Sequence, residues 1–161
     1  MNWDKEILNK IDFDNIKNKE EKEKVAKKVA EKIKNGDVIG FGSGSTSYLT
    51  ILAIAEKMKK DSIQITAIPT SYEIEILCHY LNIPTTNLLN KKPDWSFDGA
   101  DEVDENKWMI KGRGGAMFKE KLNIANSNIT YILIDNSKFV NKLGTNFNVP
   151  VECVFYSVNY V

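Results

Sequence analysis

The apolar positions of this chain follow two alternating rhythms, and their alternation sets the architecture. Val25, Val29 and Ile33, flanked by Ala26 and Ala30, recur at helical spacing and predict an amphipathic helix over residues 20–34, with Gly36 placed to end it. Val38, Ile39, Gly40 and Phe41 form a short uninterrupted run of the kind that makes a buried strand, and a helical segment over 48–58 follows. A second strand is predicted over 63–67, then a turn at Pro69, Thr70 and Ser71, then a helix over 72–81 with Ile74, Leu77, Cys78 and Leu81 on one face. Residues 83–86 are too short, and too interrupted by Pro84, for more than an edge strand or a connection. A helix over 119–126 precedes the clearest buried strand, 130–135, and one more strand is expected over 149–155. Strands that alternate with helices in this way predict a three-layer α/β fold, an open and largely parallel sheet with helices on both faces.

Composition narrows the setting. With 161 residues, 42% of them hydrophobic, the chain suits one compact domain with a real core. Residues 1–18 read as an Asn- and Lys-rich lead with scattered Trp3, Ile7, Leu8, Ile11, Phe13 and Ile16, expected to dock as a short helix, and 19–161 as the working domain. Twenty-two basic residues balance twenty-two acidic ones, so no global field favours nucleic acid or an anionic membrane, and neither is expected as a partner. Cys78 and Cys153 have neither CxxC nor zinc spacing and read as reduced thiols of a cytoplasmic protein, with Cys78 in the core. No signal-like N-terminus or long apolar stretch is present. His79 is the single histidine and lies off the apolar face of its helix, which excludes a multi-histidine metal centre and argues against a triad.

Chemistry concentrates in two glycine-rich stretches. The first, Gly40 to Thr46, reads GFGSGST and joins a strand to a helix start, where free N–H groups and the helix dipole favour an anion. The setting is Rossmann-like, but a serine stands where the third glycine of GxGxxG belongs, and the loop has no Walker lysine. A single phosphate, held by Ser43, Gly44, Ser45 and Thr46, fits better than a dinucleotide or a nucleoside triphosphate. Taken alone, the loop also fits an ordinary capped turn.

The second stretch, residues 97–121, reads FDGADEVDENKWMIKGRGGAMFKEK. Asp98, Asp101 and Glu102 supply carboxylates. Lys111, Gly112, Arg113, Gly114 and Gly115 put cations on a loop open enough for a ligand to meet backbone N–H groups, and Glu120 follows in the first turn of a helix. Arg113 is the single arginine of the chain. Read alone, DGADE fits a solvated turn and KGRGG a flexible hairpin loop. Asp98, Asp101 and Glu102 also leave a magnesium site open as an alternative.

Together the two stretches resemble ribose-5-phosphate isomerase of the A type, in the family's order, over residues 22–154. The resemblance implies an aldose–ketose isomerase that interconverts ribose 5-phosphate and ribulose 5-phosphate in the pentose phosphate pathway and needs no metal or cofactor. It makes Glu120 the base, with Lys111 and the N–H groups of Gly112 and Gly114 around the enediolate. Asp98 and Asp101 would hold sugar hydroxyls, one of them assisting ring opening. Lys22 and Lys138 join Ser43, Gly44, Ser45 and Thr46 around the phosphate, Arg113 belongs to the substrate-binding loop, and the expected assembly is a homo-oligomer.

Family members continue past the position of Val161, with a small lid and a return to the first domain. A chain without that segment is expected to expose apolar surface near 149–155 and to be poorly active and marginally stable. Two other readings stay open, a sugar-phosphate sensor that needs the phosphate loop but not Glu120 or Lys111, and an acyl-CoA transferase that needs a larger pocket.

Overall fold

The computed structural model describes residues 15–161, so Trp3, Ile7, Leu8, Ile11 and Phe13 of the lead lie outside the described residues. In chain order the elements are α1 (Lys19–Ala30), β1 (Val38–Phe41), α2 (Ser45–Asp61), β2 (Thr66–Pro69), α3 (Tyr72–Tyr80), β3 (Trp95–Gly99), β4 (Glu102–Val103), β5 (Met109–Ile110), α4 (Met117–Asn126) and β6 (Thr130–Leu133). Four strands make one sheet in the order β2-β1-β3-β6, every pairing parallel, and β4 and β5 form a small antiparallel hairpin beside it. The chain leaves β1 toward β2 and then returns past β1 to β3. The connections therefore diverge beyond the carboxyl ends of β1 and β3, which is where ligands bind in open α/β sheets.

The register explains the layers. Ile39 and Phe41 lie beside Trp95 and Phe97, and these four side chains meet Val29, Ala30 and Ile33 of the α1 region and Ile51 and Ile54 of α2 in one core. Phe41 and Phe97 stack with ring centroids 5.0 Å apart, and Trp95 meets Tyr131 edge-on at 5.5 Å. Gly40 and Ser96, paired on the opposite face, lie under α4, where buried Asn123 donates to the carbonyl of Ile68 at 2.8 Å. A Cβ on Gly40 would stand 2.7 Å from the Cβ of Ser96 and 3.2 Å from the amide of Asn123, so glycine is what lets α4 come down on the sheet. Helices thus cover both faces, as the alternation predicts.

Boundaries moved where hydrogen bonding overrode the apolar pattern. The first helix ends at Ala30, earlier than the predicted 34, although Ile33 stays buried at the end of a turn in which Lys32 N donates to Val29 O. Gly36, with φ +91°, belongs to the connection and donates to Gln64 O, and it is not the helix cap. The second strand begins at Thr66, because only there does it come into register with Val38. Residues 83–86 give one isolated bridge, Ala67 to Thr85. The aromatic-alternating stretch Trp95–Gly99 is a central strand, an element the apolar runs did not single out. The strand expected over 149–155 does not form. Pro150 has no N–H for a ladder, no strand among the described residues pairs with the segment, and Val149, Val151, Val154 and Phe155 are exposed.

Replacing Gly40 with alanine is expected to destabilise the fold by about 1–3 kcal/mol through overpacking. Thermal unfolding should show it as a fall of about 2–4 °C per kcal/mol. Gly114→Ala, whose Cβ would meet nothing within 4 Å, should leave the melting temperature nearly unchanged. Equal melting temperatures for the wild type and Gly40→Ala would refute the close approach of α4.

Candidate active site

At the carboxyl end of β1 the chain passes so close to β3 that Gly42 N donates to Phe97 O at 2.9 Å, and a Cβ on Gly42 would lie 2.2 Å from Asp98 Oδ1. Gly44, at φ +88°, then opens α2 as an N-cap with no side-chain acceptor, so Ser45 and Thr46 sit in its first turn. Lys22 of α1 is buried, donates from Nζ to Ser45 Oγ at 3.1 Å and lies 3.8 Å from Asp135 Oδ2. Burial pushes its pKa below the ordinary lysine range, partly countered by Asp135. Ser43 donates to Thr70 Oγ1 at 2.8 Å, since the single proton of Thr70 goes to Phe41 O at 2.9 Å.

Two supporting residues here were not singled out from the sequence. Buried Thr70 holds Ser43. Asp135, also buried, accepts from Asn18 Nδ2 at 3.0 Å and from Ser137 N at 2.9 Å, and so caps the turn Asn136–Lys138 that carries Lys138. Burial raises the pKa of Asp135, but the bonds from Ser137 and Asn18, with Lys22 nearby, hold it below the usual carboxylate range. The signal available in the sequence was an aspartate closing a strand with a serine two residues on, the pattern of an Asx turn.

At the end of β3, Asp98 is almost fully buried, with Oδ1 accepting from Gly99 N at 2.8 Å and Oδ2 from Lys111 Nζ at 2.8 Å. The β4–β5 hairpin delivers Lys111, aided by the bond from Asp101 N to Ile110 O at 2.8 Å. The Lys111 ammonium also donates to Gly99 O and stands 3.5 Å from Glu120 Oε2. Glu120, in the first turn of α4, is buried, and its pKa is pushed up to about 7, chiefly by burial and then by Asp98, against the pull of Lys111. A carboxyl group poised near neutrality beside an ammonium can take up and return one proton. Gly112, at φ +101°, turns the loop against Met117, and Arg113 N donates to Asp101 Oδ2 at 3.1 Å.

The two ends of this arrangement open onto one cavity of about 140 Å³, with Thr70 and Asp135 behind its lining. It is lined by Lys22, Ser43, Gly44, Ser45, Thr46, Asp98, Asp101, Lys111, Gly112, Arg113, Gly114, Glu120 and Lys138, every residue expected at the site, with Gly99 and Ala100 added. The carboxylate cluster, by contrast, is divided. Glu102 is fully buried away from the cavity and accepts from the N–H groups of Gly144 at 2.6 Å and Phe147 at 3.0 Å, and from Asn146. Burial pushes its pKa up, but these amides win and hold it below the ordinary value. Among the described residues no three His, Cys, Asp or Glu side chains gather, and Glu102, turned onto those amides, does not join Asp98 and Asp101 in the three-carboxylate set weighed for magnesium.

The family model for ribose 5-phosphate isomerase A (phosphoriboisomerase A) matches residues 66–161. The chain belongs to that family. It is 40% identical over 140 residues to ribose-5-phosphate isomerase A of Methanocaldococcus jannaschii, covering 86% of this chain and 62% of that protein. To ribose-5-phosphate isomerase A 1 of Oceanobacillus iheyensis it is 39% identical over 137 residues, covering 84% of this chain and 61% of that one. The solved structure of the M. jannaschii enzyme aligns with TM-score 0.78 and 39% identity, covering 81% of this chain and 58% of that one. A D-ribose-5-phosphate isomerase solved in complex with phospho-erythronic acid aligns with TM-score 0.75 and 38% identity, over 78% of this chain and 56% of that one. The chain thus spans about three fifths of the length of these curated relatives.

The Glu120 carboxyl is expected to titrate near pH 7 in a 13C NMR titration, well above the ordinary glutamate value of about 4.3. Lys111→Met should move the midpoint further up, because the ammonium favours the carboxylate, and Asp98→Asn should move it down. A midpoint in the ordinary range would refute the burial argument. Linkage gives a second reading. A folded-state pKa raised above the unfolded value means that Glu120 favours folding most below pH 4.5, and that this contribution is lost as pH rises toward about 7. Glu120→Gln should therefore flatten the fall of Tm across that window, and an unchanged slope would count against it.

Proposed function

We propose that this chain interconverts ribose 5-phosphate and ribulose 5-phosphate by moving one proton between C2 and C1 through an enediolate. The observation that carries the reading is the buried Glu120 carboxyl, pushed up to about pKa 7, with the Lys111 ammonium 3.5 Å away in the shared cavity. Glu120 as carboxylate takes the C2 proton and returns it to C1, while the proton of the O2 hydroxyl passes to O1, so that C1=O becomes C1–OH and C2–OH becomes C2=O. Lys111, with the N–H groups of Gly112 and Gly114, stabilises the oxygen that gains charge in between. Asp98, already paired with Lys111, fixes the ammonium, and half-buried Asp101 holds a sugar hydroxyl and assists ring opening.

At the other end of the cavity Lys22, Ser43, Gly44, Ser45, Thr46 and Lys138 hold the 5-phosphate, with Arg113 at the rim. The first turn of α2 adds its positive dipole end, and Lys22 already meets Ser45 there. A sensor without turnover has no use for the Glu120–Lys111 pair.

Residues 19–161 act as the catalytic unit in this reading, although Asn18, at the end of the lead, already ties to Asp135. Free Cys78 and Cys153 suit a reducing, cytoplasmic setting, and among the described residues no helix is long and apolar enough to cross a membrane. The substrate is a small molecule, and neither nucleic acid nor membrane is a partner. Exposed apolar residues over 149–161, including Phe155 and Tyr160, support self-association into a homo-oligomer.

Glu120→Gln is expected to lower kcat by roughly 10²–10⁴-fold while calorimetric binding of ribose 5-phosphate stays close to wild type. A variant within a few-fold of wild-type kcat would show that Glu120 is not the base. Lys22→Ala and Ser45→Ala should instead raise KM, about tenfold for the charged contact, with kcat little changed. Tight binding of a dinucleotide with no response to ribose 5-phosphate would overturn the assignment.

A further inference from the structure

Arg113 and Lys138 both line the cavity, one from the loop after β5 and the other from the turn after β6, and they rest on the same aromatic ring. The Arg113 guanidinium lies 4.5 Å from the centroid of Phe147, and the Lys138 ammonium lies 5.4 Å from it, both within cation–π range. Phe147 belongs to a segment without regular secondary structure, so its own position needs an anchor. Glu102 is that anchor. Its carboxylate, 0% exposed beneath the segment, accepts from the N–H groups of Gly144, Asn146 and Phe147 itself. A carboxylate buried on backbone donors is a strong and directional tie, because removing it leaves those amides unpaired.

We propose that Phe147, fixed by Glu102, is a positioning residue that pre-orders Arg113 and Lys138 for the anionic group of the ligand. The inference rests on the phosphate-binding reading above. Two long cations at one rim repel each other and lose rotamer freedom when a ligand orders them. A ring that already holds both in place removes most of that cost, which for one long side chain is a factor of roughly two to ten in affinity. The negative face of the ring also offsets the mutual repulsion before an anion binds. Phe147 does not line the cavity, so its effect passes entirely through the two cations.

The test uses the full chain and three variants, Phe147→Leu, Phe147→Trp and Glu102→Gln, titrated calorimetrically with inorganic phosphate and with ribose 5-phosphate. Leucine keeps apolar bulk but has no ring face, and Phe147→Leu is expected to weaken both ligands about fivefold to twentyfold. Phe147→Trp, which keeps a ring, should retain most of the affinity, and Glu102→Gln should behave like Phe147→Leu. In the unliganded protein, NMR should show upfield ring-current shifts of the Arg113 and Lys138 methylene signals that vanish in Phe147→Leu.

Equal phosphate affinity for wild type and Phe147→Leu would overturn the proposal, as would equal weakening by leucine and tryptophan or a wild type that binds no phosphate. A coupled isomerase assay on the wild type separates this outcome from failure of the functional reading. Loss of phosphate affinity in Phe147→Leu but not in Phe147→Trp, with no turnover in any chain, would uphold the platform and sink the isomerase assignment.

Discussion

One ammonium group between two buried carboxylates sets the terms for the rest of the site. Lys111 stands 2.8 Å from Asp98 and 3.5 Å from Glu120, and both carboxyl groups are more than nine-tenths buried. A single positive charge cannot neutralise two negative ones where water is scarce, so one of the three groups must hold its proton more tightly than it would in solution. Asp98 receives the direct contacts, from Lys111 and from Gly99 N, which leaves Glu120 as the group that is pushed upward. The same shortage of charge that makes the cluster costly is what brings a carboxyl group into the range of neutral-pH proton transfer.

Much of the backbone can be understood as the means of holding that triangle. Asp98 can lie at the end of β3 only because Gly42 leaves room for it, and α4 can bring Glu120 close only because Gly40 leaves room for Asn123. The β4–β5 hairpin carries Lys111 in from the side. At the far end of the cavity the balance is reversed, with Lys22 and Lys138 set against one buried carboxylate, Asp135, which is fully engaged by Ser137 and Asn18. The cavity is therefore polarised, with the Lys111, Asp98 and Glu120 triangle at the β3 end and excess positive charge at the α1 end. A substrate with an anion on one carbon and a transferable proton several bonds away matches that polarity.

The parts of this arrangement that were legible in the sequence are those with local causes. Helical spacing of Val29 and Ile33, the run Val38–Phe41, and the placement of Cys78 in the core and His79 outside it depend on neighbours a few residues apart. Resemblance to a family supplied the long-range part, gathering Lys22 and Lys138 around a loop at 43–46. What stayed hidden has no local cause. Glu102 looks like one of three clustered carboxylates, and only the fold separates it, turning it onto the amides of a segment more than forty residues away. Trp95–Gly99 alternates with serine and aspartate on its second face, so it reads as a polar segment until Gly40 and α4 are seen to cover that face. Residues 149–155 fail in the opposite sense, with strand composition but no strand paired to them among the described residues.

That separation of near-identical carboxylates shows how position, not residue type, assigns chemistry here. Asp98, Asp101 and Glu102 lie within five residues, yet each meets a different donor. Asp98 meets an ammonium, Asp101 a single backbone N–H of a loop it half exposes, and Glu102 several amides in full burial. The break between β3 and β4, with Asp101 in the bend that joins them, sends the three carboxylates to different donors, so that Asp98 and Asp101 line the cavity and Glu102 supports the segment over residues 144–147. Glu102 and Glu120 complete the contrast. Both are desolvated glutamates, but backbone dipoles aimed at Glu102 hold its proton off, whereas Glu120 lacks such donors, faces a competing carboxylate and is pushed up to about 7. Burial alone makes a carboxyl group costly, and it is the partner supplied by the fold that decides whether that group becomes an inert tie or a base.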